Sequence, residues 1–442
     1  MRKVVLLFLL MVGVNFVAKA DKVKVRLFVN NRIEWLNVSF DLGEYSLLAG
    51  DSVLESVVAD GRSVILHSVP GGVSVAVNDL DYGVYPEVRL VASDTACILC
   101  LNPTGVKSRT YEGDLVVTAI NSTALMIVND VEFETYIAGV VQSEIYGSNA
   151  DIFRVQAIIS RTWALRNMRK HSADGFNFCD QVHCQAYLNR CVRPDIMLGT
   201  IRSMGETIVD AEGKLIETPF HSNSGGQTAN SEDVWRAALP YLRSVSDTFS
   251  FRMKQSEWTK VIPKEQWLNY FSTKHKLNLK DDSVRHTLLT FSQAERQAKI
   301  CGVSLTRVRV DFKLKSTFFD VSLDGSTGNV VLHGRGYGHG VGLSQEGTIR
   351  MVNLGFSYDS IITHYYLGSH IHKDENLSRD YVNNYAVGIE KIIADDLANP
   401  GRVKSKKDDW LGLLFRIHNR NEREEVYEPT KQELEQDWEY EW

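Results

Sequence analysis

The sequence predicts an α+β fold in which a small β-rich domain, residues 21–108, precedes a mixed domain, residues 109–372. Three observations carry this. Valine-heavy runs broken by Gly, Asp and Ser fill residues 23–102, Val23–Val29 and Val73–Val77 among them, the pattern of short strands between turns. Phe153, Ala157, Ala164, Leu165 and Met168 then recur at helical spacing behind Asn149 or Asp151 as a cap, giving the clearest helix, to about Lys170. Finally, Gly334 to Gly342 place glycine at every second position, which an ordinary strand does not tolerate.

Before the first strand, Arg2 and Lys3, an apolar run Val4–Val14 and the small residues of Ala18-Lys19-Ala20 have the order of an export signal, with the mature chain beginning near Asp21. The expected location is the periplasm, cell envelope or exterior. An uncleaved membrane anchor is the alternative, but Val4–Ala18 is shorter than the roughly 20 apolar residues a spanning helix needs. The formal net charge of −6 gathers at the end, where residues 419–442 hold nine acids against Arg420, Arg423 and Lys431. The remainder is nearly neutral, so nothing electrostatic favours nucleic acid as a partner. A largely uncharged polymer fits better.

The mixed domain is expected to open with strands over 107–137 and a strand-like segment Tyr136–Val141 that ends at Ser143-Glu144. Residues 172–192 are polar and cysteine-bearing and predict a loop; 200–221 return to strand around the turn Ala211–Lys214. A loop from Ser222 to Trp235 follows. Residues 250–300 predict a charged helical insertion, 303–333 alternate like strands, and helices are expected through Arg350 and Met351 and over Ile361–Tyr366. Residues 373–442 form a C-terminal extension with the acidic tail.

Four segments have chemistry in them. Glu144 lies among Val140, Val141, Ile145 and Tyr146, where partial burial would raise its pKa toward that of a general acid; taken alone, a cap or pair at an element end is the more ordinary role. Cys179, His183 and Cys184 are good zinc ligands that His171 or Cys191 would complete; the alternatives are a Cys184–Cys191 disulfide or buried thiols. Cys97 and Cys100 read as buried strand or a disulfide. Chain must come close to something at Gly334–Gly342: a phosphate, a packed neighbouring segment, or a polymer over exposed amides. The phosphate reading fails for want of a Lys-Ser or Lys-Thr ending. His221–Thr228 pack imidazole, hydroxyl and amide groups into a strand end, without the Gly-x-Ser-x-Gly context of a serine hydrolase.

Together these segments resemble the SpoIID/LytB family, which includes sporulation proteins and amidase enhancers. The resemblance rests on Val141-Gln142-Ser143-Glu144, Gln156-Ala157 with Ser160–Leu165, Phe178-Cys179-Asp180 with His183-Cys184-Gln185, His221-Ser222 with Gly225-Gly226, Glu232–Trp235, Pro240-Tyr241-Leu242, and Gly334–Gly342 followed by Ser344-Gln345. It covers roughly residues 110–370. It implies a lytic transglycosylase with a glycan-binding groove, cutting the MurNAc–GlcNAc bond of peptidoglycan with 1,6-anhydro ring formation, in some members only on strands stripped of stem peptides.

Glu144 matches the family's catalytic glutamate. One acid suffices in such a reaction, because the sugar's own C6 hydroxyl is the nucleophile. Arg161 is expected to face the site and orient Glu144 or stabilise developing charge, its alternative being a surface salt bridge. His221, Ser222, Asn223, Gly225, Gly226, Tyr337, His339 and Gln345 would line the groove. Zinc on Cys179, His183, Cys184 and His171, seen in some members, would be structural. Two departures stand out: Glu346 puts a charge where the family usually has an aromatic ring that could stack on sugar, and Ile145 replaces the common Met. A non-catalytic wall protein that stimulates a peptidoglycan amidase is the alternative the family allows, and a zinc hydrolase a third.

Overall fold

Alternation builds the first layers. Val23, Val25 and Leu27 are buried in Lys22–Leu27, as are Val64 and Leu66 in Ser63–Val69 and Val73, Val75 and Val77 in Gly72–Val77, so each strand offers one apolar face. The structure, a computed structural model, describes residues 22–374 apart from 59, 60 and 79, together with 388–391, 393–395 and 398. The expected export signal and acidic tail lie outside the described residues. No helix among those described is long and apolar enough to cross a membrane.

Two sheets face one another. One has seven strands in the spatial order Phe178–Cys179, Lys22–Leu27, Ala124–Glu132, Asp114–Asn121, Glu87–Ala92, Glu44–Ala49, Ser52–Val58. The other has six, in the order Arg109–Glu112, Ile98–Pro103, Trp35–Leu42, Ser63–Val69, Gly72–Val77, Leu80–Tyr85. Their inner residues join a single core with the helices that follow. Residue 108 is therefore no boundary: Arg109–Glu112 pairs with Ile98–Pro103, Asp114–Asn121 with Glu87–Ala92, and Ala124–Glu132 with the first strand.

The chain leaves the sandwich directly into α1 (Phe133–Glu144), where a strand-like segment was expected over Tyr136–Val141. Residues 133–141 are all buried, and a helix buried on every side has no amphipathic period to distinguish it from a core strand. The clear helix appears as α2 (Ala150–Arg166), with the Asn149 side chain accepting from the Asp151 amide at 2.9 Å. α3 (Pro194–Arg202) follows, and of the strand expected over 200–221 only Glu206–Val209 and Phe220–His221 form.

The insertion has a core of its own around Trp258, Trp267, Phe271, Leu288, Val308, Phe319 and Leu332. It begins with a strand, Glu257–Ile262, beside Val330–Arg335 and Phe319–Leu323, and so extends well past residue 300. Within the stretch expected to be all strand lies the helix Leu305–Asp311; Val308-Arg309-Val310 alternates, but the buried pair is Leu305 and Val308, three residues apart. Helices Gln345–Asn353 and Tyr358–Tyr365 stand where expected. From the C-terminal extension, Ile389 and Ile393 reach the main core and Lys391 pairs with Asp94 at 2.9 Å.

Candidate active site

Glu144 is the last residue of α1, and the loop 186–192 is laced to that last turn. Gln142 donates to the Arg190 carbonyl at 2.9 Å and accepts from the Val192 amide at 2.7 Å; the Ser143 hydroxyl accepts from the Leu188 amide at 3.2 Å. Gly139 permits this closeness, since a Cβ there would meet the Tyr187 ring at 2.5 Å. The half-buried Glu144 carboxylate accepts from the Ala186 amide at 2.6 Å. Burial pushes its pKa above the ordinary carboxylate value, and the single amide acts against that shift.

Gln345 reaches Glu144 from the other side, donating to its carbonyl at 2.9 Å and to the Gln156 amide oxygen at 3.3 Å. It follows the two-residue strand Leu343–Ser344, which pairs in parallel with Phe220–His221. Glu346, expected to face sugar in place of an aromatic ring, is instead fully buried. Its carboxylate accepts from the Tyr146 hydroxyl at 2.6 Å, Asn223 Nδ2 at 2.7 Å and the Gln255 amide at 3.0 Å, tying the chain just beyond Glu144 to the His221 loop and the insertion. Glu346→Ala strands those donors and is expected to lower stability by about 1–3 kcal/mol, read by denaturant unfolding.

The alternating glycines pack against a neighbouring segment. Asn223 and Tyr337 exchange backbone bonds at 3.1 and 2.8 Å, and a Cβ on Gly336 would meet the Asn223 carbonyl at 2.5 Å. Gly336, Gly338, Gly340 and Gly342 all have φ between 69° and 117°. The amides are not open to a polymer: Gly336 donates to Ser256, Tyr337 to Asn223 and Gly338 to Lys315.

The groove residues sort by exposure. Asn223, Gly225 and Gln345 are buried, and Asn223 gives its amide to Ser250 and Glu346, so it braces the site. Gly226 is half-buried, its amide taken by Ser224 and Ser250. Ser222 is half-buried, and Tyr337 is exposed. His221 is buried with Nδ1 3.2 Å from the Val341 carbonyl and Nε2 unpartnered. His339 lies 5.5 Å from the His221 ring and 5.1 Å from Trp235, ring centre to ring centre. Burial holds both imidazoles below their ordinary range, His339 at about 4, with nearby arginine charge adding. Exposed Trp235 belongs to this surface although sequence reasoning gave it no role; its place as the last residue of the Glu232–Trp235 motif was the available signal.

Arg161 is not brought to Glu144. It is buried, donating to both oxygens of Glu134 at 2.9 and 2.7 Å and to the Glu206 carbonyl and Ser203 hydroxyl at 3.2 Å each. The pair locks α2 to the start of α1, so any influence on Glu144 passes along that helix.

Beyond α2, His171, Cys179, His183 and Cys184 bring one ligand atom each within 4.8 Å of one another. Cys184 Sγ is 3.5 Å from His171 Nε2 and 3.8 Å from His183 Nδ1, and Cys179 Sγ is 3.8 Å from His183 Nδ1. Such spacings are near the edges of a tetrahedron built on metal bonds of about 2.0–2.3 Å. Asp180, buried between Arg109 at 2.7 Å and the Phe28 amide at 2.7 Å, fixes the loop. Cys191 is elsewhere, its sulfur 3.6 Å from the Arg193 carbonyl, and the Cys184–Cys191 and Cys97–Cys100 bridges do not form; all six thiols are free.

The segment that carries this raised carboxyl and the sulfur and imidazole cluster is also recognisable in sequence. Residues 121–211, which contain Glu144, Arg161 and the whole cluster, match the SpoIID family, described as Stage II sporulation protein. Beyond that stretch, the similarity to curated proteins of the same description and to an amidase enhancer supports the resemblance to the SpoIID/LytB family. It is 28% identical over 306 residues to Stage II sporulation protein D of Bacillus subtilis (strain 168), a span covering 63% of this chain and 86% of that protein. The protein of the same name from Bacillus amyloliquefaciens is 29% identical over 280 residues, 58% and 78% of the two chains. The Amidase enhancer of B. subtilis (strain 168) is 22% identical over 287 residues, 52% of this chain and 39% of that one.

Proposed function

We propose that this chain is an exported lytic transglycosylase of peptidoglycan, with Glu144 as its general acid and base. The observation that carries the reading is the Glu144 carboxyl itself, raised by burial and held by one amide. In the protonated form it would give its proton to the glycosidic oxygen as the bond to C1 breaks. The resulting carboxylate would then take the proton of the C6 hydroxyl as that oxygen closes on C1, so proton and charge balance without water. A water-activating second carboxylate is the requirement of the hydrolytic route. Glu346, the acid bonded into this site, has donors on both oxygens and no exposure, which suits it to bracing and not to activating water.

Incubation with peptidoglycan and with peptide-stripped glycan, followed by mass spectrometry, is expected to yield 1,6-anhydro ends. Reducing ends without them would mean hydrolysis. No cleavage at all would favour the second reading, a wall-binding protein that stimulates an amidase, which draws on the similarity to the Amidase enhancer.

The four-ligand cluster supports a structural zinc: His171, Cys179, His183 and Cys184 fill a tetrahedron and leave no open position for chemistry, which disfavours the zinc-hydrolase reading. The bound metal would join the loop after α2 to the sheet edge carrying Cys179. Metal analysis is expected to find about one zinc per chain, lost in Cys184→Ser, and chelation to lower the melting temperature. A metal-free protein as stable as before chelation would remove the assignment.

A further inference from the structure

Tyr146 is an exposed ring fixed close to Glu144. Two residues of extended chain span at most about 7 Å. Ile145, the residue between them, is extended and buried, which turns both of its neighbours away from the core. The start of the helix Gln345–Asn353 ties down each of them: Gln345 donates to the Glu144 carbonyl at 2.9 Å, and the next residue, Glu346, accepts from the Tyr146 hydroxyl at 2.6 Å. Even so, 46% of Tyr146 stays open to solvent.

The anchor of this ring is rigid. No part of Glu346 reaches solvent, and its second oxygen accepts from Asn223 Nδ2 at 2.7 Å and from the Gln255 amide at 3.0 Å. Burial and then the bond to Glu346 push the Tyr146 phenol pKa above its ordinary value, so the hydroxyl remains a donor at neutral pH. A ring with so much exposed surface adds little to the core; what the bond removes is the ring's freedom to turn. Such a ring has little conformational entropy left to lose when a ligand meets it. A second exposed side chain comes from the loop that holds the acid. Leu188, 37% exposed, gives its amide to the Ser143 hydroxyl at 3.2 Å, two residues after Ala186, whose amide holds the Glu144 carboxylate. Exposed apolar side chains from two segments therefore flank the stretch that carries Glu144, the composition of a sugar site.

We propose that Tyr146 is the platform on which a sugar ring beside the scissile bond stacks, and that Glu346 is its positioning residue. This rests on the peptidoglycan reading and adds to it a contact from this chain's own sequence. A pyranose with equatorial substituents offers a face of axial C–H groups, which an aromatic ring can cover while the hydroxyls keep their hydrogen bonds at the rim. Glu346, a charge where an aromatic ring is usual, then supplies a ring at one remove by holding Tyr146 in place.

Affinity is best measured on the full chain carrying Glu144→Gln, which prevents turnover, with peptide-stripped glycan as the probe. Adding Tyr146→Ala is expected to weaken binding about five- to tenfold, the scale of one aromatic contact. Tyr146→Phe keeps the ring and loses only its tether, so its loss should be about twofold. Tyr146→Leu, apolar without a ring, should behave like the alanine variant and keeps the test available if that one unfolds. With Glu144 intact, Tyr146→Ala should raise KM more than it lowers kcat, and leave the alkaline limb of the pH profile in place. Unchanged affinity in Tyr146→Ala, a loss in Tyr146→Phe as large as in Tyr146→Ala, or no binding by the Glu144→Gln chain would overturn the platform. Anhydro ends from wild type together with any of these results would leave the catalytic reading standing. A wild type that cuts no strand, with binding that still falls in Tyr146→Ala and not in Tyr146→Phe, would sink the catalytic reading and keep the platform.

Discussion

Glu144→Gln is expected to lower the rate of anhydro-end formation by about 10²–10⁴-fold, the usual worth of a positioned general acid. The amide cannot give the leaving oxygen a proton, but it can still accept from the Ala186 amide, so the surrounding structure should persist. An unchanged melting temperature separates lost chemistry from lost fold. The pH profile gives a second readout. Because burial raises the Glu144 pKa, the protonated acid survives to higher pH than an ordinary carboxyl, and the alkaline limb of kcat/KM should fall above the usual glutamate range. Identical products from wild type and Glu144→Gln would show that another group is the acid.

Arg161→Ala has the largest expected effect on stability, a loss of about 3–5 kcal/mol, because it leaves the Glu134 carboxylate buried without its cation. The two side chains are only 2% and 5% exposed, so water cannot take the place of the guanidinium. Denaturant unfolding measures the loss, and Arg161→Ala with Glu134→Gln should recover part of it. The same variant decides whether Arg161 belongs to the chemistry. A bracing residue, assayed well below the variant's melting temperature, leaves the product spectrum and pH profile as they were. A large fall in kcat with stability unchanged would show that Arg161 acts on the reacting sugar.

Much of this was legible in the chain, and the parts that were not share a cause. The α2 boundary could be read because Asn149 is a local cap and apolar residues recur at helical spacing behind it. The cluster of His171, Cys179, His183 and Cys184 could be read because its four residues lie within one short stretch, 171–184. By contrast α1 looked like strand because residues 133–141 form an unbroken buried run with only Glu134 charged, and Leu305–Asp311 looked like strand because alternating arginines masked a three-residue spacing. Glu346 looked like a sugar contact by position. That Tyr146, Asn223 and Gln255 all point their donors at it is a fact of tertiary packing that no local pattern encodes. Arg161 was misplaced for the same reason, its partner lying 27 residues upstream on another helix.

The first strand of the sandwich sets an order of events. Lys22–Leu27 lies between Ala124–Glu132, which runs into α1, and Phe178–Cys179, which holds a thiol of the cluster; the Lys24 amide bonds Asn177 across 153 positions of chain. In a chain that emerges from its N-terminus, this strand precedes both its neighbours, one edge waiting for residues 124–132 and the other for residues 178–179. Such long closure is slow. An early-appearing, late-docking strand therefore leaves both the strand that runs into α1 and the edge that carries Cys179 to be completed by contacts between distant parts of the chain.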